Sequence, residues 1–385
     1  MKKSLFLVAT AALVISCANN DIRNEIVESE VPIGFTKVYI EKGTKAITTG
    51  AYTTANFETL GNTFGVFAFK QTASQTDYSI FGTTSTVIDE ETVTTINDVE
   101  VEYKNGLSTD LYENAKDWAY SPLKYWDKTA TEYNFFAYAP HQSDFTGTAA
   151  LEGSTSDGFS FSITGFKQAT TQSSMIDLMT DMTSQKSVTN STTKKIGEND
   201  VAFTFGHILS NINVEMAVSP ALKLDNTANP VTVVSVSLGD IKMDGTYNYS
   251  TSASAWTLSE EPNEVAFAGT QTSGNVFASD ALKAVDATAD DGGFTAVPAM
   301  TDLLFVPQSV NADYAITIQY KIGVEVFDKT IKLSEFKNAS NSALATWASG
   351  YKYTYRIVIG PNPILFDITA VSDWGTGGVY TYTID

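Results

Sequence analysis

The sequence predicts an all-β fold built from β-sandwiches, and three observations predict it. Thr, Ser, Tyr, Phe and Val are abundant while charged residues make up only 18% of the chain, a composition that suits pleated, half-buried surfaces. Short runs with period-2 alternation recur from end to end, separated by Gly, Pro, Asn and Asp clusters, the pattern of short strands joined by turns. No heptad and no long helical stripe interrupts them. Many short strands at roughly regular spacing point to sandwiches, and the roughly 370 residues after position 16 suffice for two domains.

The chain opens with Met1, Lys2 and Lys3, then the apolar run SLFLVATAALVIS, then Cys17. That run is shorter than the roughly 20 apolar residues a bilayer span needs, so residues 1–16 read as a secretory signal. Cys17 is the one cysteine of the sequence, which excludes an intramolecular disulfide. Val14-Ile15-Ser16-Cys17 forms a loose lipobox, and its position at the cleavage point predicts acylation of Cys17, as in bacterial lipoproteins. The alternative is an ordinary signal with a chance cysteine. One acyl chain holds a protein weakly at a membrane and two hold it stably. Residues 18–30 are polar and acidic and read as a tether.

A strand is expected next. In VPIGFTKVYI (31–40) Val31, Ile33 and Phe35 alternate, and Val38 and Ile40 continue the apolar set with a change of face. EKGTKAITTG (41–50) is a loop punctuated by Gly43 and Gly50. TFGVFAFK (63–70) puts Phe64, Val66 and Ala68 on one strand face. Residues 71–115 read as long loops or short hairpins. WAYSPLKYWDKTATEYNFFAYAP (118–140) carries two strands joined near Lys128–Thr131, with Pro122 marking an edge or bulge. GFSFSITGF (158–166), SSMIDLMT (173–180) and the long VAFTFGHILSNINVEMAVS (201–219) follow. PALKLDNTANP (220–230) is a turn-rich break, which sets the expected division into sandwiches over 46–219 and 220–385. Beyond it come VTVVSVSLG (231–239) and IKMDGTYNYS, where Asp244-Gly245 signals a hairpin turn. Strands are expected at 302–308, 314–322, 325–333 and 351–359. The last of these has Tyr351, Tyr353, Tyr355, Ile357 and Ile359 on one face. ILFDITAVSDW (364–374) and the tail GTGGVYTYTID close the chain.

Catalytic chemistry needs a nucleophile, base or metal constellation, and the sequence offers none. His141 and His207 are the two histidines, and neither has a companion at metal-ligand spacing. Ser121-Pro-Leu-Lys124 fits S-x-x-K, but Pro122 argues against the helix that motif belongs on. Asp286, Asp290 and Asp291 depart from calcium-loop spacing and read as a solvated turn. No P-loop, G-x-S-x-G or dinucleotide fingerprint is present, so neither an enzyme nor a cofactor is expected. A net charge of −20 disfavours nucleic acid and anionic lipid as partners. The aromatic segment 118–138 is read as core, with a glycan-stacking platform as its alternative.

SPLKYWDKTATEYNFFAYAP, VAFTFGHILSNINVEM, LLFVPQ, WASGYKYTYRIVI and ILFDITAVSDW, in that order behind a lipoprotein signal, resemble the fimbrillin family, the Mfa-like subunits of Bacteroidales type V pili. The resemblance implies two transthyretin-like β-sandwich domains in tandem. It also implies export as a lipoprotein to the outer membrane surface, clipping of the first strand after a basic residue, and polymerisation by strand donation into a fimbrium that supports adhesion. Carried onto this chain, the lipid falls on Cys17, the removable strand on Ile33, Phe35, Val38 and Ile40 within 17–45, and the cut between Lys45 and Ala46. Stalk subunits often carry Arg where this chain has Lys45, with Lys42 nearby. The tail, with Tyr380, Tyr382 and Ile384 on one face, is either the donated strand or the last strand of the second sandwich. The implied partners are other fimbrial subunits, outer-membrane lipid through acylated Cys17, and a host or glycan ligand. The alternative function is a non-polymerising surface lipoprotein or tip adhesin that binds such a ligand.

Overall fold

The computed structural model describes residues 32–40, 54–59, 61–88, 91–104, 118–127, 129–154, 156–189, 201–220, 231–250, 253–259, 265–270, 282, 284, 286, 292–297, 300–338, 340–360 and 375–384. These residues are almost wholly β, as the composition and alternation predict. The first strands are β1 (Phe35–Ile40), β2 (Thr63–Thr72), β3 (Gln75–Ser79), β4 (Thr83–Ile88), β5 (Glu91–Ile96), β6 (Val99–Tyr103), β7 (Trp118–Tyr120) and β8 (Ala130–Ala139). Next come β9 (Thr146–Ser154), β10 (Gly158–Lys167), β11 (Met179–Thr189), β12 (Val201–His207), β13 (Ser210–Val218), β14 (Val231–Ile241), β15 (Asp244–Ser250), β16 (Ala253–Leu258) and β17 (Val265–Thr270). The last are β18 (Thr295–Ala296), β19 (Leu303–Phe305), β20 (Gln308–Ser309), β21 (Ala315–Ile322), β22 (Glu325–Lys332), β23 (Thr346–Trp347), β24 (Tyr351–Ile359) and β25 (Gly375–Ile384). A single turn of α-helix, α1 (Thr54–Phe57), is the next element after β1 among the described residues.

The largest sheet runs β3-β2-β6-β7-β1-β12-β11-β8, and β2 also pairs with β8. Seven strands, β2-β6-β7-β1-β12-β11-β8, therefore close into a ring. Closure removes the free edges that an open sheet would expose. The ring encloses a core of Phe57, Phe64, Val66, Trp118, Phe135, Phe203 and Phe205, among others. Strands β2 and β8 bury both faces. Phe64, Val66 and Ala68 point into the ring, as the alternation predicts. Phe67 and Phe69 of β2, with Phe136 and Tyr138 of β8, pack outward against a second core. Gly65 belongs to this pairing, because a Cβ there would lie 2.3 Å from the Tyr138 ring.

The second core begins under the four-stranded sheet β16-β15-β10-β9 and continues between the sheets β18-β13-β24-β25, with β19 beside β13, and β17-β14-β21-β22. Strands from both sides of residue 220 share these sheets: β10 pairs with β15, and β13 pairs in parallel with β24. The run 201–219 is not one strand. It breaks at Ile208-Leu209, leaving β12 in the ring and β13 in the distal sheet. The Asp244-Gly245 hairpin is also corrected. Both residues lie inside β15, which pairs with β10 and β16, while β14 lies in a different sheet. The chain turns between sheets at this point, with Asp240 at φ 65°, so a turn signal became a sheet crossing.

On β24 the expected apolar face is buried at Tyr353, Tyr355, Ile357 and Ile359, while Tyr351 at its start is exposed. The opposite face carries a polar network. Lys352 Nζ lies 3.0 Å from Asp302 Oδ1, which also accepts from Asn211 Nδ2 at 3.0 Å. Asn213 donates to Asn211 Oδ1 at 2.8 Å and accepts from the Asp302 backbone N–H at 2.9 Å. Asp302 is 1% exposed, so stripping it of its cation leaves a buried charge uncompensated. Lys352→Met should therefore cost about 3 kcal/mol in urea unfolding, and adding Asp302→Asn should recover most of that loss, because the unpaired charge is then gone.

Candidate functional site

Strand β1 fills a slot whose walls come from distant parts of the chain. On one side it runs parallel to β12, with Phe35 opposite Val201, Val38 opposite Phe203 and Ile40 opposite Phe205. On the other side it meets β7 antiparallel, with Phe35 opposite Trp118. The loop after β7 extends this contact: the Ile33 N–H donates to the Lys124 carbonyl at 2.8 Å, and Pro32 bridges Tyr125. The Tyr120 hydroxyl donates to the Ile33 carbonyl at 2.9 Å and accepts from the Lys124 N–H at 3.2 Å.

The change of face in the sequence has a structural cause. The ladder carries one extra residue between Phe35 and Lys37. Such a bulge resets the alternation, so odd-numbered Ile33 and Phe35 and even-numbered Val38 and Ile40 all turn inward. Their exposures are 1%, 1%, 2% and 4%, against 47% for Tyr39. Phe35 sits among the rings of Tyr120, Phe203, Phe64 and Phe135, with centroids 5.3, 5.9, 6.1 and 6.3 Å away. At about 1.5–3 kcal/mol per buried side chain, these four contribute roughly 6–12 kcal/mol of gross burial.

The receiving loop is clamped to β2. Lys70 Nζ lies 2.7 Å from Asp127 Oδ2, and Asp127 Oδ1 accepts from the Thr129 N–H at 2.8 Å. The Lys70 bond, then those of Thr129, hold the Asp127 carboxyl down at about 2 from its ordinary 3.8. A depressed carboxyl pKa contributes stability above its unfolded value and loses that contribution as pH falls through the folded value. The urea midpoint difference between the wild-type chain and Lys70→Met should therefore be constant above pH 4 and shrink to nothing as pH falls from about 4 to about 2. The corresponding difference in unfolding free energy should stay below about 1 kcal/mol, since both side chains are partly solvated. Beside the clamp, Tyr133 donates no charge to the site: burial pushes its phenol pKa up.

The structure places the other expected residues as follows. Cys17, Lys45 and Ala46 lie outside the described residues. Tyr380, Tyr382 and Ile384 lie on β25, the outermost strand of its sheet, paired in parallel with Tyr355, Ile357 and Ile359 of β24. The aromatic segment 118–138 is core: Trp118, Tyr120, Trp126, Tyr133, Phe135, Phe136 and Tyr138 are buried, and Tyr125 is the ring left exposed. His207 is buried against Asp177 at 3.0 Å, and His141 lies 3.3 Å from Asp98. Ser121 sits in a bend and Lys124 in irregular backbone just after it, not on a helix. Two parts of the slot were not foreseen, the Tyr120 hydroxyl and the Trp118 indole. Both occur in a segment whose rings look alike in sequence, so only their partners distinguish them.

Fimbrium subunit Fim1C of Phocaeicola vulgatus ATCC 8482 is 25% identical over 382 residues, covering 94% of this chain and 93% of that protein. The crystal structure of a fimbrial protein from Bacteroides vulgatus ATCC 8482 superposes with a TM-score of 0.53 at 19% identity, over 90% of this chain and 99% of that one, and shares the fold. The fimbrillin-like profile matches residues 44–374, and the chain belongs to the fimbrillin-like family.

Proposed function

We propose that this chain is a structural subunit of a cell-surface fimbrium and that β1 is a temporary occupant of the slot between β7 and β12. It is exported as a lipoprotein acylated on Cys17, clipped between Lys45 and Ala46, and polymerised when a strand from another subunit replaces β1. The observation that carries the reading is the placement of β1. This short N-terminal strand, with Ile33 just before it, supplies four buried side chains to a ring otherwise built from residues 57–207, and Lys42 and Lys45 follow it in the sequence. Without β1 the ring opens, exposing the edges of β7 and β12 and the apolar wall between them. An incoming strand repairs both defects, with ladder hydrogen bonds giving affinity and alternate side chains giving register. Strand β25 of a neighbouring subunit is the candidate donor. Head-to-tail donation is heterologous and builds an open filament. The reading includes two transthyretin-like units in tandem, as the resemblance of the sequence to fimbrillins led us to expect.

The test is direct. A soluble form of the chain, with a site-specific protease sequence placed within 41–50, is compared before and after cutting. Cut protein should sediment as filaments visible by electron microscopy and uncut protein as monomer. Cut protein that stays monomeric contradicts the reading.

A second reading rests on a different feature. A cleft of about 420 Å³ is lined by Tyr247, Trp256, Leu258, Gln308, Thr346 and Ser349. In this reading the chain stays lipidated as a surface binder or tip adhesin for a glycan or host ligand. It requires binding by the uncut monomer that Trp256→Ala abolishes.

A further inference from the structure

Trp118 is the neighbour of Phe35 across the slot. Its ring packs on Phe64, Tyr103 and Phe57, with centroids 4.9, 5.0 and 5.3 Å away. It is 1% exposed. Its indole Nε1–H is the one buried side-chain polar group among the described residues that has no hydrogen-bond partner. A buried donor left unmet is costly, whereas one that meets an acceptor is not. Phe35 has no acceptor to offer. The native plug therefore fits the slot in shape but leaves one polar group of the wall unanswered.

We infer that Trp118 is a specificity-determining residue of the slot, selecting an incoming strand that carries a hydroxyl at the position Phe35 now occupies. This rests on the strand-replacement reading above and specifies the partner's chemistry. Directly opposed residues of an antiparallel pair bring their Cβ atoms within about 5 Å on the same face, so residue 35 and Trp118 share one face, and a hydroxyl at that position is the acceptor we assign to the indole N–H.

The occupant this points to is β25 of a second copy. Strand β1 is parallel to β12 and carries one extra residue, Thr36, between Phe35 and Lys37. Strand β25 is likewise parallel to its neighbour β24 and carries one extra residue, Gly377, between Thr376 and Gly378. Superposing the two bulges sets Val379 at the place of Val38, Tyr380 at that of exposed Tyr39, and Thr376 at that of Phe35. The face turned to the slot is then Thr376, Val379 and Thr381, opposite to Tyr380, Tyr382 and Ile384. The plug supplies bulk at the Trp118 position and the donor supplies a hydroxyl. That difference gives the donor an advantage that burial alone does not.

The full, uncut chain tests the residue's role independently of polymerisation. Val and Thr are close in shape, and an unpaired hydroxyl in an apolar site ordinarily favours Val by about tenfold in the unfolding constant. Phe35→Thr should be at least as stable as Phe35→Val, and the tenfold preference for Val should return in a Trp118→Phe background. A Val preference of the same size in both backgrounds overturns the inference and leaves strand replacement standing. If the Phe35 variants do not fold, the chain cut within 41–50 is offered the peptide GTGGVYTYTID or the same peptide with Thr376→Val, and the Trp118 indole proton is followed by NMR. A downfield shift with the first peptide alone, and about tenfold tighter binding of it, support the inference. Equal binding without that shift overturns it. Rejection of both peptides by a chain that readmits a β1 peptide overturns donation by β25 and this inference with it.

Discussion

Truncating Phe35 to Ala in the intact chain should lower the unfolding free energy by about 3–5 kcal/mol, the range for removing a fully buried aromatic ring. Tyr39→Ala, two positions past the bulge on the solvent side, should change it by less than about 0.5 kcal/mol. The contrast follows from exposures of 1% and 47%, and it separates two views of the first strand. If β1 is an integral stave of the ring, the two substitutions differ by several kcal/mol in urea unfolding. If β1 merely lies against a ring that is complete without it, both will be mild. Four aromatic neighbours lose contact with residue 35 at once. The cavity cost therefore adds to the transfer cost, and a value near the top of the range is expected.

Changing Lys45 and Lys42 together to Ala should abolish filaments on the cell surface while leaving a folded, lipidated subunit. The effect should be close to all-or-none, because in the proposed strand replacement assembly depends on vacating the slot and not on the strength of any single contact. While the chain is uncut after Ile40, β1 sits at a high effective concentration beside its own slot, and a donor strand from another molecule competes at a disadvantage. Cutting converts that intramolecular contact into a bimolecular one that a donor can displace. The gross burial of β1 still has to be overcome, which argues for stepwise replacement along the ladder. Electron microscopy and sedimentation of surface extracts read the outcome. Normal filaments from the double variant would show that Lys42 and Lys45 are not the processing site.

Much of this was legible in the sequence. The all-β class followed from alternation and turn residues, and Ile33, Phe35, Val38 and Ile40 were recognisable as core. The change of face between Phe35 and Val38 was visible as well, although only the ladder with β12 shows it to be a bulge. What the sequence could not show is long-range pairing. Nothing in VAFTFGHILSNINVEMAVS marks Ile208-Leu209 as the point where the chain leaves one sheet for another, since both halves alternate equally well. Asp244-Gly245 carries a genuine turn signal, but the tertiary structure uses the residues inside β15, where pairing to β10 outweighs local preference. The two-sided burial of β2 and β8 was likewise hidden, because a continuous apolar run is compatible with either one core or two. The slot itself depends on residues 33–40, 118–125 and 201–205 meeting, separations at which single-sequence patterns carry no information.

The central claim is that β1 is removed before the protein takes up its working form. The measurement that tests it most directly is the intact mass and N-terminal sequence of the protein sheared from the cell surface. A chain that begins at Ala46 and carries no lipid is the expected result. A chain that begins at acylated Cys17 and still contains Ile33–Ile40, recovered from assembled filaments, would contradict it.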